Sequence, residues 1–118
     1  FINTHMGITP NYRGVHGGYW ALANDDRAHC GVTVHLVDAG VDTGAILYQA
    51  LITPEAEDNF TTYPILQLVQ GLQMMRAALR DVAAGRVAPR PSDEAPSRQW
   101  YHPTLLGYWR TRWQRGIK

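Results

Sequence analysis

The most regular hydrophobic pattern in the chain is a run of β-branched and apolar residues at 31–37, bounded by turn residues. Such a run predicts a buried β-strand. A second apolar run at 45–52 predicts another strand. Only seven residues separate the two runs, which is too few for a helical crossover, so we expect the strands to pair antiparallel or to meet at a sharp bend.

Helical periodicity marks further segments. Residues 15–23 carry apolar side chains at helical spacing, and Gly17 and Gly18 near the predicted helix start favour close approach to a neighbouring backbone or ligand. A long helix is predicted over 61–84, capped by Gly85. Its apolar side chains form one stripe of the kind that faces a core: Ile65, Leu68, Val69, Leu72, Met75, Leu79 and Val82.

The C-terminal third combines a proline-rich connection with a final helix. Three of the seven prolines fall at 87–96, which predicts an extended surface strap. The final helix begins near Thr104 and has four large apolar side chains on one face: Leu105, Leu106, Trp109 and Trp113. We expect this face to dock on the rest of the protein. The chain therefore divides into residues 1–85 and residues 86–118.

Charge is distributed unevenly between these two parts. Residues 1–85 hold four Arg and eight Asp or Glu, a net −4. Residues 86–118 hold six Arg and one Lys against two acidic residues, a net +5. Two interpretations stay open: the basic segment is a solvated helix packed on the acidic part, or it binds an anionic partner.

Composition excludes several classes of protein. The apolar runs are too short to span a bilayer. The single cysteine, Cys30, excludes an internal disulfide framework and fits a reducing, cytoplasmic location. The five histidines show no metal-ligand spacing, so no metal site is predicted. The chain begins within a predicted strand at Phe1, and we expect an apolar run upstream of it.

Side chains suited to catalysis occur at the start of the chain and in the loop at 38–44. Asn3 and His5 are two residues apart and would face the same side of a strand. Both segments follow the carboxyl ends of predicted strands, where open α/β sheets bind ligands. Acyl transfer to an amine needs an oxyanion donor, a proton carrier and a carboxylate that orients an imidazole. Asn3, His5 and Asp42 can supply these roles.

Four short blocks occur in the order and spacing of a known signature. They are Asn-Thr-His at 3–5, Pro-Asn-Tyr-Arg-Gly at 10–14, Gly-Val-Thr-Val-His at 31–35 and Val-Asp-Thr-Gly at 41–44. The pattern resembles the folate-dependent formyltransferases, which include glycinamide ribonucleotide, methionyl-tRNA and sugar-nucleotide N-formyltransferases. The resemblance runs to about residue 52 and continues more weakly into the long helix.

The resemblance implies an α/β fold, a Rossmann-like three-layer α/β/α domain whose N-terminal strands are missing from this chain. Residues 1–85 would be the C-terminal half of the catalytic domain. A formyl group would pass from the co-substrate 10-formyltetrahydrofolate to an amine of a small-molecule acceptor, nucleotide or sugar-like. Asn3 and His5 would stabilise the oxyanion and transfer protons. Asp42 would orient His5 and keep it charged, or relay a proton through water.

The same resemblance implies a folate-binding loop. Asp38, Ala39, Gly40, Val41 and Asp42 would wrap the pteridine end of the folate, largely through backbone groups. Glycine suits a loop that passes close to a flat ring.

Three other side chains each allow two interpretations. Arg13 either clamps a phosphate or carboxylate of the substrate, or fixes a loop. His16 either reaches the acceptor or packs on a helix. For His35, in the middle of a predicted strand, we favour a buried, hydrogen-bonded supporting role over direct catalysis.

Two other functions compete with formyl transfer. One is hydrolysis of the same folate donor, with water as the acceptor. The other is a non-catalytic, formyltransferase-like fragment whose basic, aromatic C-terminus binds nucleic acid or an anionic membrane. Nucleic acid is the less favoured partner, and the oligomeric state is left open.

Overall fold

The computed structural model describes residues 1–92 and 96–118. Its elements in chain order are β1 (Ile2–His5), β2 (Arg13–Gly14), α1 (Gly17–Ala23), β3 (Gly31–Leu36), β4 (Ile46–Leu51), α2 (Tyr63–Ala83), β5 (Gln99–Trp100) and α3 (Leu105–Arg115). A short 3-10 turn, Arg27–His29, precedes β3. The predicted strands and helices are therefore present, with boundaries shifted by at most two residues.

The main sheet has β3 at its centre, with β1 on one side and β4 on the other. Val32 and Val34 of β3 are fully buried, because this strand is covered on both faces. The pairing of β3 with β4 is antiparallel, which confirms the prediction from their short connection.

The relation between β1 and β3 differs from the sequence-based expectation. We expected Asn3, His5 and the loop at 38–44 to meet at the carboxyl-terminal edge of the sheet. The two strands are instead antiparallel, with Asn3 opposite His35 and His5 opposite Thr33, so their carboxyl ends lie at opposite edges. The loop must therefore fold back along the sheet for its carboxylate to reach β1.

The start of α1 packs directly on the loop that follows β1. A Cβ atom at Gly17 would lie 2.6 Å from the carbonyl oxygen of Met6, and one at Gly18 would lie 2.9 Å from Gln67 Nε2. No side chain fits in such a space. The close approach predicted from these two glycines is confirmed, and the neighbour is the protein's own backbone and α2.

The contact surface of α2 is not the one that its apolar pattern predicted. The buried positions of the helix are Tyr63, Gln67, Gly71 and Ala78. The predicted stripe is 44–59% exposed at Ile65, Leu68, Val69, Leu72, Leu79 and Val82. A Cβ at Gly71 would lie 2.7 Å from Thr4 Cγ2, so the helix meets the sheet most closely where it has no side chain. The apolar stripe points away from the sheet.

The C-terminal segment returns to the body through β5, which pairs in parallel with β2. The Trp100 ring stacks on Tyr12, with centroids 5.6 Å apart. In the predicted strap, Arg90 exchanges backbone hydrogen bonds of 2.8 Å with Ile46. Residues 93–95 of that strap lie outside the described residues.

Helix α3 packs on the body through the face opposite to the predicted one. Tyr108 lies 6.0 Å from the Tyr19 ring and 5.9 Å from the Phe60 ring. The predicted docking face is exposed instead, by 58–87% at Leu105, Leu106, Trp109 and Trp113. Among the described residues, no helix combines the length and apolar character needed to cross a bilayer.

Candidate active site

Asp42 lies between two imidazoles. Its Oδ2 is 3.3 Å from His5 Nδ1, and its Oδ1 is 3.4 Å from His35 Nε2. The residue has a left-handed φ of 52°, and its Oδ2 accepts a 2.9 Å hydrogen bond from the Gly14 amide. Burial opposes ionisation, but the contacts with His35, Gly14 and His5 outweigh it and hold the pKa of Asp42 below its usual value. Asp42 is therefore a carboxylate at neutral pH.

His5 is buried, with 6% of its surface exposed, and both ring nitrogens have partners. Nε2 lies 2.6 Å from the Tyr12 carbonyl oxygen, which can only accept, so Nε2 carries a hydrogen. Burial is the largest influence and lowers the pKa of His5, although the Tyr12 carbonyl and Asp42 act in the opposite direction. In the neutral ring, the Nδ1 lone pair faces the Asp42 carboxylate.

Asn3 is the exposed member of the group. Its Nδ2 lies 3.2 Å from Nε2 of His35, the residue opposite it in the sheet. The predicted trio of Asn3, His5 and Asp42 is thus brought together around one further residue. Their catalytic roles stay predictions, and Asn3 is the side chain that a substrate would meet first.

His35 belongs to this group, although the sequence assigned it only a supporting role. It is 3% exposed, and its Nδ1 donates to the Leu36 carbonyl oxygen at 2.8 Å. The hydrogen bond with Asp42 is the main reason that its pKa is raised. The buried, hydrogen-bonded environment agrees with the sequence interpretation. Its place opposite Asn3 required the antiparallel register, which the sequence did not predict.

The loop predicted to bind folate is braced from within. Asp38 Oδ1 accepts hydrogen bonds from the Gly40 amide at 3.1 Å and from the Thr43 hydroxyl at 2.6 Å. The Thr43 hydroxyl is the main cause of a lowered pKa at Asp38. Ala39, Gly40 and Val41 are exposed. The backbone that the resemblance assigns to the pteridine is therefore accessible, and the Asp38 side chain holds its shape.

Arg13 ties this loop to the C-terminal segment. Its Nη1 donates to the Val41 carbonyl oxygen at 2.8 Å, and its Nε donates to the Ser97 hydroxyl at 2.9 Å. This geometry favours the loop-fixing interpretation of Arg13 over the substrate clamp, because its Nε and Nη1 already donate to protein acceptors.

His16 packs against residues far away in sequence. Its Nε2 lies 2.8 Å from His102 Nδ1, and its ring lies 4.4 Å from the Phe60 ring centroid. Burial, followed by His102, lowers the pKa of His16. The next residue, Gly17, approaches the loop after His5, so His16 links that loop to the C-terminal segment.

An open hollow of about 780 Å³ adjoins His16 on the side of α3. Its walls are apolar at Phe60, Pro103 and Tyr108, and basic at Arg112 and Lys118. In residues 1–92 and 96–118, no three His, Cys, Asp or Glu side chains lie close enough together to bind a metal ion.

The structure thus places an exposed amide beside a carboxylate and two imidazoles at the α/β sheet, which is the set of groups that acyl transfer to an amine needs. A protein-family model described as formyl transferase matches residues 1–75. The chain belongs to the formyl transferase family.

Two solved structures share its fold. An N-formyltransferase from Helicobacter canadensis, in complex with folinic acid and dTDP-3-aminofucose, matches 85% of this chain and 37% of its own, with a TM-score of 0.73 and 20% identity. A formyltransferase from Anoxybacillus kamchatkensis, in complex with a UDP-linked formamido sugar and tetrahydrofolate, matches 83% and 51%, with a TM-score of 0.72 and 24% identity. The fold is therefore the Rossmann-like α/β fold of the formyltransferases, as predicted.

The curated relatives carry a different name. A methionyl-tRNA formyltransferase from Synechococcus sp. (strain JA-3-3Ab) is 36% identical over 104 residues, which cover 88% of this chain and 31% of that protein. The chain spans about a third of the length of the curated relatives it matches.

Proposed function

We propose that the full-length protein transfers a formyl group from 10-formyltetrahydrofolate to an amine of a small-molecule acceptor. The observation that carries this proposal is Asp42 between His5 and His35, with the exposed Asn3 amide beside them, in a chain of the formyl transferase family. The two solved relatives are complexes with folinic acid and with tetrahydrofolate, which supports a folate donor.

The donors of the site suit the charge that develops in this reaction. The amine nitrogen attacks the formyl carbon, and the carbonyl electron pair moves onto the oxygen. Asn3 Nδ2 has two hydrogens, and only one of them is directed at His35, so the other is free for that oxygen. Asn3 is the oxyanion donor in this scheme.

The Asp42–His5 pair is suited to take up the proton that the amine releases. Neutral His5 directs its Nδ1 lone pair at Asp42 Oδ2 over 3.3 Å, so two acceptors face each other. A proton between them replaces this repulsion by a hydrogen bond. When the C–N10 bond breaks and the C=O bond re-forms, the proton passes to N10. The products are the N-formyl acceptor and tetrahydrofolate.

The loop at 38–42 would hold the folate through its backbone. Ala39, Gly40 and Val41 are exposed, while Asp38 and Arg13 fix the loop from either end. An exposed backbone on a braced loop can present amide and carbonyl groups to a flat heterocycle with little loss of conformational entropy.

The acceptor has two candidates. The same two solved relatives are complexes with an amino-sugar nucleotide and a formamido-sugar nucleotide, which supports a small nucleotide-linked amine. The curated relatives are named methionyl-tRNA formyltransferases, and α3 exposes Arg110, Arg112 and Arg115, which supports a charged tRNA as the second candidate. Hydrolysis to formate is the outcome expected if water takes the place of the amine.

The test is product analysis with the full-length protein. We expect an N-formyl product by mass spectrometry when 10-formyltetrahydrofolate is supplied with an amino-sugar nucleotide, and not with methionyl-tRNA alone. His5→Ala should lower the rate by about 10²–10⁴. Formate without any acceptor would identify a hydrolase, and an N-formylated tRNA would identify the second candidate. Absence of both formate and N-formyl products would overturn formyl chemistry altogether.

A further inference from the structure

We propose that His35 is the positioning residue for Asn3: its neutral ring accepts a hydrogen bond from the Asn3 amide and so fixes which hydrogen meets the substrate, and its protonation releases Asn3. The kinetic part of this proposal rests on the proposed function, whereas the hydrogen-bond switch does not.

The tautomer of His35 follows from its neighbours. Nδ1 lies 2.8 Å from the Leu36 carbonyl oxygen, so Nδ1 carries a hydrogen. In the neutral ring, Nε2 is then a lone pair, which can only accept. Asn3 Nδ2 lies 3.2 Å away and donates to it. Neutral His35 therefore dictates the orientation of the Asn3 amide, with NH₂ toward β3.

Protonation reverses this arrangement. A hydrogen on Nε2 would face the Asn3 NH₂ group, which has no lone pair to offer, and Asp42 Oδ1 at 3.4 Å becomes its natural acceptor. His35 would then bind Asp42, and Asn3 would lose its anchor. The same event would engage Asp42 Oδ1, while Oδ2 still faces His5. One proton on His35 thus releases the amide that would meet the substrate.

The charged neighbours of His35 set the pH at which this happens. Asp42 and Asp38 of the loop favour the cation, and they raise the pKa of His35. His5 of β1 is the other titratable group facing it, with the ring centroids 6.4 Å apart. Arg13 reaches the loop at the Val41 carbonyl oxygen. Strand β4 contributes no charged residue.

Two substitutions test the roles of the two ring nitrogens of His35 separately. His35→Gln places an amide oxygen near the Nε2 position, so it keeps an acceptor for Asn3 that does not titrate. His35→Asn places an amide NH₂ near the Nδ1 position, so it keeps the donor to the Leu36 carbonyl but leaves Asn3 without a partner. The proposal predicts that kcat falls in His35→Asn and is largely retained in His35→Gln, whereas the two variants have similar effects on the fold.

The first experiment is kinetic, on the full-length protein. We expect His35→Asn to lower kcat by about tenfold to a hundredfold with KM nearly unchanged, because one orienting hydrogen bond is lost. His35→Gln should retain most of kcat. In the wild type, kcat should fall as the pH drops through the raised pKa of His35, and in His35→Gln this acid limb should move to lower pH. Equal kcat values in the two variants, or an unmoved acid limb, would overturn the proposal.

The second experiment needs no turnover. NMR of ¹⁵N-labelled full-length protein should show the side-chain amide signals of Asn3 changing with the same midpoint as the His35 ring, and no such change in His35→Gln. If the amide signals of Asn3 do not change as His35 titrates, the proposed hydrogen-bond switch is overturned. If the wild type forms no N-formyl product but the signals titrate together, the proposed function fails and the positioning role stands.

Discussion

The sheet end around Asp42 and the outer face of α3 invert the usual distribution of polarity. Around Asp42, His5 and His35 are polar, titratable and less than 7% exposed. On α3, Trp109 and Trp113 are apolar and 58% and 87% exposed. Burying polar groups costs free energy unless they are paired, and exposing large apolar groups forgoes stabilisation. The first region therefore depends on the pairing of its buried polar groups, and the second lacks a covering partner among the described residues.

Removing the charge at Asp42 should break the first region most severely. Asp42→Asn keeps the size of the side chain and tolerates a left-handed φ, but it removes the proton acceptor between two imidazoles. We expect kcat to fall by about 10²–10⁴, measured by formation of the N-formyl product.

Asp25 offers a matched control for that substitution. It is exposed and has a φ of 59°, close to that of Asp42, but it lies in the turn after α1. Asp25→Asn should leave kcat unchanged. If Asp42→Asn proves as active as this control, the carboxylate has no part in turnover.

A methyl group at Gly17 should disturb the support beneath the site. The new Cβ would lie 2.6 Å from the Met6 carbonyl oxygen, and backbone atoms cannot give way as a flexible side chain can. We expect Gly17→Ala to lower the free energy of unfolding by about 1–3 kcal/mol in urea titrations. Gly107→Ala in α3 meets only the Thr104 side chain and should change it by less than about 1 kcal/mol. Equal effects would mean that α1 does not press on the loop.

The two faces of α3 should differ in their contribution to stability. Tyr108 packs on Tyr19 and Phe60, so Tyr108→Ala should cost about 1–3 kcal/mol. Trp113 is exposed, and Trp113→Ala should cost about 0.5 kcal/mol or less. Chemical denaturation of the full-length protein measures both. The reverse order would show that the docking face expected from the sequence is covered after all.

The smallest expected effect concerns Cys30. It is 1% exposed, and burial is the main reason that its pKa is raised to about 11. The thiol is therefore protonated and inaccessible, and a thiol reagent at pH 8 should label it only as fast as the protein unfolds. Peptide mass mapping at this position provides the readout, and rapid labelling of the native protein would contradict the burial. The cytoplasmic location inferred from the single cysteine stays a prediction.

Local patterns in the sequence predicted the elements and three of the four side chains that the structure brings together around Asp42, whose catalytic roles stay predictions. The run at 31–37 is short, rich in β-branched residues and bounded by turn residues, so β3 was predictable. Asn3, His5 and Asp42 were found because four motif blocks resemble one family. The antiparallel register was not predictable, because it depends on how distant segments pair.

The predictions of burial were least accurate for helices in which more than one face can pack against the rest of the protein. On α2, a periodic stripe pointed to the core, but Gly71 lets the opposite face approach Thr4 and Val32 more closely. Periodicity shows which side chains of a helix are apolar, but it does not show which of the helix's two faces packs against the sheet. The buried, hydrogen-bonded environment of His35 was predicted, but its partner Asn3 was not, since that residue lies 32 positions away.

The most direct test of the central claim is a double-mutant cycle on His5 and Asp42 in the full-length protein, with kcat for the N-formyl product as the measurement. If the two residues share one transferable proton, either loss disables the pair, and the double variant His5→Ala/Asp42→Asn should be only about as slow as the slower single variant. A double variant whose rate falls by the product of the two single effects would contradict the account, because the residues would then act independently.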